Sequence, residues 1–510
     1  MRKTQLIFRT VLMLLIIAAS SLAHAQSLFD NFEFGARGVG FKFIYKTDYT
    51  RTWKATEDIN GYSQSENRGR PIRVSVWYPA KNSANAARMF YKDYMPASAK
   101  DIFFAELNGL LAKRDINNLR ANLSAEDFDK LMQTRTRAVQ NAAPMVGKFP
   151  LVVYSAGLNN SAQDNFVLCE YLASHGFVVV TVPQTGATSL DANLKFPSAA
   201  DLETQTLDLQ FAVGATHDLP DLDKQLVGAI GYSVGGMAAM NFAMRNTDID
   251  ALVTLDPTFL VANYIKFVNG SPFYAPANLC IPWLLMHRVE PQITTLTLSD
   301  ELKYSRRYRV EMTGMFHQDF SSFPMFAPQS ITASTRTPET AKRGYQTICR
   351  YILNFLNAFL KKDKSGFEFI NDSSRKDESI AKFEVLPAIE PPTTEEKFTK
   401  ILYSESVAKA IKLYRDYKTK NAQEQIFGES FLNQLGYRLI SENRLNDAIE
   451  IFKLNVEAYP ASGNVYDSLA EAYLKSGNKE LAIKFYEKAV ELAPGNKAAI
   501  ELLKKLKANQ

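Results

Sequence analysis

The pentapeptide Gly231-Tyr232-Ser233-Val234-Gly235 follows the apolar run from Gln225 to Ile230 and precedes a small-residue segment from Gly236 to Met244. A strand that turns directly into a helix holds such a serine in a strained backbone conformation. Glycines two residues to either side then keep side chains from colliding with the adjoining strand and helix. A serine presented in this way can attack an ester or amide carbonyl and carry the acyl group covalently. The same pattern also occurs as an ordinary tight turn, so its meaning depends on whether an acid and a base follow.

Both follow. The run from Asp250 to Leu255 reads as a short buried strand ending in Asp256-Pro257, where the proline stops the strand and leaves a carboxylate at its tip. Ile281 to Met286 and Tyr308 to Met312 read as the next strands, the second followed by the loop Thr313-Gly-Met-Phe-His317. Asp256 lies 23 residues after Ser233, and His317 lies 61 after Asp256. That is the chain order serine, acid, histidine of an α/β-hydrolase. In the expected division of labour His317 takes the serine proton, Asp256 fixes the imidazole tautomer and stabilises its cation, and Ser233 attacks. The oxyanion needs two backbone donors. The candidates are the amide of Val234 and that of Leu158, in the loop after the strand from Pro150 to Ser155.

Two competitors stay open at this level. Glu290, just beyond the strand ending at Met286, occupies the commoner position for the acid in this fold, and His287 ends a central strand whose tip could face the site. His175, between a helical stretch and Gly176, reads as a C-terminal cap, His217 as a solvated turn residue, and His24 falls in a leader segment.

Leu151-Val-Val-Tyr-Ser-Ala-Gly-Leu158, the segment Tyr171 to Val180, the serine pentapeptide, Leu255-Asp-Pro257 and Phe316-His-Gln-Asp-Phe320 together resemble a known family. These are the plasma-type platelet-activating-factor acetylhydrolases and their dienelactone-hydrolase-like bacterial relatives. The likeness runs from about residue 70 to about residue 360. It implies that the acid follows the strand after the serine turn, as Asp256 does. It also implies that the base opens a His-Gln-(Asn/Asp)-Phe motif, as His317 does, that Leu158 is the second oxyanion donor, and that the substrate is a short-chain or phospholipid-type acyl ester. Ala156-Gly157 stands where the family usually has His-Gly, and Tyr232 where it often has His. Neither departure touches the three reacting side chains; both bear on substrate shape.

At 510 residues, 46% hydrophobic and 22% charged, the chain is long enough for two folded domains of ordinary composition. Met1-Arg-Lys, an apolar run from Val11 to Ala19 too short for a comfortable membrane span, and Ala23-His-Ala25 predict a signal peptide over residues 1–25. Export to a bacterial periplasm or beyond is the natural expectation. Without Arg2, Lys3 and Arg9 the formal charge drops from +5 to +2, too balanced for a nucleic-acid binder. Cys169, Cys280 and Cys349 are widely spaced and read as buried thiols with at most one disulfide; no metal-ligand spacing appears and no cofactor is expected.

The expected organisation is a hydrolase domain over 26–363, a linker over 364–396 and an all-α domain over 397–510. Pro71 to Tyr78 alternates as a half-buried strand at the sheet edge. Residues 81–147 form a helical insertion, with helices from Ile102 to Lys113 and from Ala125 to Val139, that serves as a lid over the site or as scaffold. Leu435, Gly436, Ala448, Phe452 and Pro460 recur 34 residues later as Leu469, Ala470, Ala482, Tyr486 and Pro494, the tetratricopeptide period. Helices from Glu396 to Lys418 and from Lys497 to Lys507 are expected to cap the repeats. These repeats would bind a protein or peptide, or stack within the assembly. The sequence thus reads as a secreted or periplasmic serine ester hydrolase of α/β-hydrolase fold, acting on a small-molecule or lipid ester. The alternatives are a catalytically silent platform for the repeats and a serine peptidase.

Overall fold

Leu151-Val-Val-Tyr154 and Ala251-Leu-Val-Thr-Leu255 are buried at every position, as strands covered on both faces must be. The computed structural model describes residues 29, 32–52, 55–57, 63–65, 69–82, 86–187, 198–290, 294–327, 336–372, 374–391, 393–422 and 425–508. The leader expected over 1–25 lies outside these. Among the described residues the main sheet has β1 (Gly38–Thr52), β2 (Gly69–Ala80), β3 (Ala138–Gln140), β4 (Phe149–Ser155), β5 (Val178–Thr181), β6 (Leu222–Tyr232), β7 (Ala251–Leu255), β8 (Trp283–Arg288), β9 (Arg307–Met312) and β10 (Ile380–Leu386).

Their spatial order is β3-β1-β2-β5-β4-β6-β7-β8-β9-β10. The stretch from β5 to β9 is parallel throughout, and β2 and β10 flank it antiparallel. Alternate residues of β4 enter two cores: Val152 and Tyr154 on one face, Leu151 and Val153 on the other. The helices of this unit used below are α1 (Ile102–Asn122), α2 (Ala125–Met132), α3 (Phe166–Ser174), α4 (Ala199–Ala215), α5 (Val234–Arg245), α6 (Ala262–Asn269) and α7 (Pro338–Phe359). Helices α3 and α7 cover the first face; α4, α5 and α6 cover the second.

The insertion departs from its expected form. Its second helix begins after Ser124, which caps it by accepting from the Asp127 amide at 3.1 Å, but it ends at Met132 and not at Val139. The chain then bonds across to the start of the insertion, Thr136 N–H to Met89 O at 2.9 Å, and Ala138–Gln140 joins the sheet parallel to β1. Strand β2 is neither at the edge nor half-buried: all twelve residues are buried, because the insertion lies over it. Arg73 of β2 donates to Asn108 of α1 at 2.9 Å, and Trp77 donates to Tyr94 at 3.0 Å.

Glu170 of α3 completes that clasp, accepting from the Tyr94 hydroxyl at 2.6 Å and from the Arg137 amide at 3.0 Å. Burial pushes its carboxyl from the ordinary 4.5 up to about 7. A folded state that holds a proton more tightly than the unfolded chain loses stability as pH rises from the ordinary value to the shifted one, and is flat beyond it. Glu170→Gln can keep an oxygen on the Arg137 amide and donate to Tyr94, as the protonated carboxyl does. In urea unfolding the variant should therefore gain on the wild type between about pH 4.5 and pH 7, by up to ~3 kcal/mol. A wild type that gains on the variant over that window would contradict this.

The expected linker over 364–396 is mostly not one. Lys364–Asn371 is helical, and β10 pairs antiparallel with β9. An edge strand keeps charged side chains outward, here Lys382 and Glu384 in a 2.8 Å ion pair, so its composition resembles a linker. Phe383 meanwhile packs on Tyr351, ring centroids 6.0 Å apart. The compact unit extends to Ile389. Cys169 and Cys349 are buried free thiols, but Cys280 is exposed, contrary to expectation. No described helix is long and apolar enough to cross a membrane.

The second unit, Glu390–Gln510, contains α8 (Glu395–Ser404), α9 (Val407–Lys420), α10 (Glu429–Ser441), α11 (Leu445–Ala458), α12 (Gly463–Lys475), α13 (Lys479–Leu492) and α14 (Lys497–Ala508). The expected first cap is two helices. Ser406 is extended and caps α9 by accepting from the Lys409 amide at 3.2 Å, so a helical hairpin precedes the two repeats. Gly436 leaves room for a neighbouring ring in the first repeat: a Cβ there would stand 2.5 Å from Phe452 unless that side chain shifted.

Candidate active site

Strand β6 turns into α5 at Ser233, whose φ of 56° and ψ of −122° are rarely adopted by an L residue and cost on the order of 1–3 kcal/mol. The turn is held by Ser233 N–H on Leu255 O at 3.0 Å. Gly236 N–H at 3.0 Å and Thr258 N–H at 3.1 Å both donate to Ser233 O. Glycine is obligatory at Gly235, where a Cβ would lie 2.2 Å from Ser155 O and 2.3 Å from Ala156 O. The backbone of the serine turn and that of the loop after β4 are thereby in contact.

Asp256 leaves β7 with φ 40° and is anchored by its amide on Met286 O at 2.7 Å. His317 opens the short 3-10 turn His317–Phe320 after β9. The structure brings all three expected side chains together: His317 Nε2 is 2.9 Å from Ser233 Oγ, and His317 Nδ1 is 2.6 Å from Asp256 Oδ2. The Asp256 side chain is 4% exposed and that of His317 40%, so the acid is sealed and the base is reachable.

The base loop has its own anchors, which the sequence reading did not assign. The Asp319 carboxylate takes Arg336 Nε at 2.7 Å and Nη2 at 2.6 Å, both residues being buried, and accepts the Phe316 amide at 2.7 Å. Tyr232, the residue before the serine, donates to His317 O at 3.0 Å and sets its ring 5.1 Å from the imidazole. Thr258 Oγ1 lies 3.3 Å from Ser233 Oγ.

Glu290 does not touch His317. It pairs with Arg288, which also pairs with Asp256 and stands 3.0 Å from His317 Nδ1 through Nη1. Arg288 was missed. Its position at the tip of β8, beside the strand that ends in the acid, is the signal that could have found it. Glu290 offsets a guanidinium that would otherwise compete with the imidazole for the buried carboxylate. His287 is buried with Nδ1 3.0 Å from Arg288 O, and His175 caps α3 with Nδ1 2.8 Å from Tyr171 O.

Val234 begins α5 and half-buried Leu158 sits in the turn after β4. Among the described residues neither amide donates to a protein acceptor. Both residues line one small pocket with Gln184, Thr185, Leu202 and Gln205, of about 10 Å³, the size of a single water site. Among the described residues no group of three or more His, Cys, Asp or Glu could hold a metal ion.

The order β1-β2-β5-β4-β6-β7-β8-β9, with a serine turn between β6 and α5, defines an α/β-hydrolase fold. A family model described as platelet-activating factor acetylhydrolase, isoform II, matches residues 62–190, and a tetratricopeptide-repeat model matches residues 463–496. Among solved structures, a ferulic acid esterase from Streptomyces cinnamoneus matches at 19% identity with a TM-score of 0.48, over 68% of this chain and 97% of that one. No curated protein matches the chain. The family match covers β2, the insertion and the loop bearing Leu158, and stops before the serine turn.

Proposed function

We propose that the chain is a serine hydrolase of carboxylic esters, with Ser233, His317 and Asp256 as its catalytic residues. The observation that carries this is the continuous hydrogen-bonded line from Ser233 Oγ through both imidazole nitrogens to Asp256. Ser233 Oγ attacks the ester carbonyl carbon while its proton passes to His317 Nε2, and the carbonyl oxygen becomes an oxyanion facing the amides of Val234 and Leu158. As the tetrahedral centre collapses, the carbon–oxygen bond to the alcohol breaks and His317 returns the proton to the leaving oxygen. Water, deprotonated by the same nitrogen, then attacks the acyl-serine, and the acid departs as the proton returns to Ser233 Oγ. Asp256 keeps Nδ1 protonated throughout.

The small pocket beside Val234 and Leu158 suits the oxyanion, and the acetylhydrolase family match supports a short acyl group. Turnover of p-nitrophenyl esters should fall by about tenfold or more in kcat/KM from acetate to octanoate. A profile that rises with chain length would overturn the short-acyl assignment. The leader expected over 1–25 supports export, and the repeat match supports a protein or peptide partner for the second unit.

A further inference from the structure

The loop after β4 folds back as a turn over residues 157–160, closed by Asn160 N–H on Gly157 O at 3.0 Å, with Asn159 at φ 58°. Leu158 sits inside this turn, so the turn decides where the second oxyanion donor points. A turn leaves its outer donors and acceptors to be satisfied by other groups, and both kinds are held here. The carbonyls face the insertion: Asn118 of α1 donates to Asn159 O at 2.6 Å, and Arg114 of α1 to Asn160 O at 3.2 Å. The donors face one carboxylate, that of Asp164, just ahead of α3.

Asp164 Oδ2 accepts Asn160 Nδ2 at 2.9 Å and, more loosely, the Gly157 amide at 3.4 Å, so one oxygen grips the turn at both ends. Oδ1 accepts the Tyr154 hydroxyl at 2.7 Å, which fixes the carboxylate on β4. The Asp164 backbone oxygen accepts Ser322 N–H at 3.0 Å from just beyond the base turn. Gly157 meanwhile lies against Tyr232, where a Cβ would stand 3.0 Å from the ring. Burial pushes the Asp164 carboxyl up to about 6, so above neutral pH it is ionised and has acceptor sites for all three side-chain partners. None of these bonds involves a reacting atom.

We infer that Asp164 is a positioning residue for the oxyanion site: its carboxylate, opposed by Arg114 and Asn118 of the insertion, sets the Leu158 amide where the oxyanion forms. The inference rests on the ester-hydrolase reading, and it makes α1 part of the apparatus that aligns this donor. A misplaced donor weakens mainly the interaction with charge that develops in the transition state. Loss of the Asp164 carboxylate therefore reads out in kcat and leaves KM nearly unchanged.

Kinetics on p-nitrophenyl acetate at about pH 8, where Asp164 is ionised, compare the full-length wild type with Asp164→Leu and Asp164→Asn. Leucine removes every acceptor, and kcat should fall by about 10²- to 10³-fold with KM within about threefold. Asparagine can keep its oxygen on Asn160 and Gly157 while the Tyr154 hydroxyl accepts from its amide, so it should hold kcat within about tenfold of wild type. A trifluoromethyl ketone, whose adduct with Ser233 carries the oxyanion, should lose affinity for Asp164→Leu in step with kcat. If Asp164→Leu does not fold, Asn160→Ala decides, with kcat expected about tenfold lower at unchanged KM. The inference is overturned if the deciding variant keeps wild-type kcat or ketone affinity, if its loss lies in KM, or if asparagine costs as much as leucine. A folded wild type inert to the ester overturns the ester-hydrolase reading, and the inference with it; an active wild type with any of those variant results overturns the inference alone.

Discussion

Asp256→Asn is expected to lower kcat/KM for an activated ester by about 10³- to 10⁴-fold with the fold intact. Asp256 serves two donors at once, His317 Nδ1 at 2.6 Å and the Arg288 guanidinium. An asparagine has one oxygen to share between them. If that oxygen faces the guanidinium, the amide N–H₂ faces Nδ1 and forces the imidazole into the tautomer whose Nε2 is already protonated. Such an imidazole cannot accept the Ser233 proton. Glu290→Gln, by contrast, removes only the charge of a partner of Arg288 and leaves the imidazole contact in place, so its cost should be about tenfold or less. Steady-state kinetics of the two variants ranks the acids, and the reverse ranking would move the catalytic carboxylate to Glu290.

Gly235→Ala is the second large effect. The added Cβ would stand 2.2 Å from Ser155 O and 2.3 Å from Ala156 O, and both are backbone atoms at the root of the loop that carries Leu158. Relief requires the serine turn and that loop to separate, which pulls apart the two oxyanion donors. Overpacking of this kind costs about 1–3 kcal/mol or more, and loss of one oxyanion donor costs about 10²- to 10³-fold in kcat. Gly214→Ala is the control, because a Cβ there in α4 meets nothing within 4 Å, and it should stabilise by roughly 0.5–1 kcal/mol. Denaturation midpoints and kcat measured on both variants check the pair; a Gly235→Ala enzyme with wild-type activity would contradict the geometry of the turn.

The serine turn was legible because its requirements are local: a strand, two glycines and a helix, all within a few residues. The acid was only partly legible. Asp256 and Glu290 both sit at strand tips, and nothing in their spacing shows that Arg288 lies between them and takes Glu290 for itself. The ion pair of Asp319 with Arg336 was equally hidden, since the two residues meet only after the base loop has folded back. Strand β10 escaped notice because a strand paired on one side alone keeps Lys382 and Glu384 in water and so lacks the apolar run that marked β4 and β7. The insertion was recognised as helical, but residues 138–140 carry too short a pattern to show that they leave the helix for the sheet. In the second unit the 34-residue recurrence revealed both repeats, whereas the hairpin of α8 and α9 has no such copy and read as one helix until Ser406 broke it.

The most direct test of the serine-hydrolase account is the intact mass of the folded protein after treatment with a fluorophosphonate. One adduct per chain is predicted, on the peptide that carries Ser233, and none on the Ser233→Ala variant. A folded wild type that takes no label, or a variant that still takes it, would contradict the assignment of Ser233 as the nucleophile.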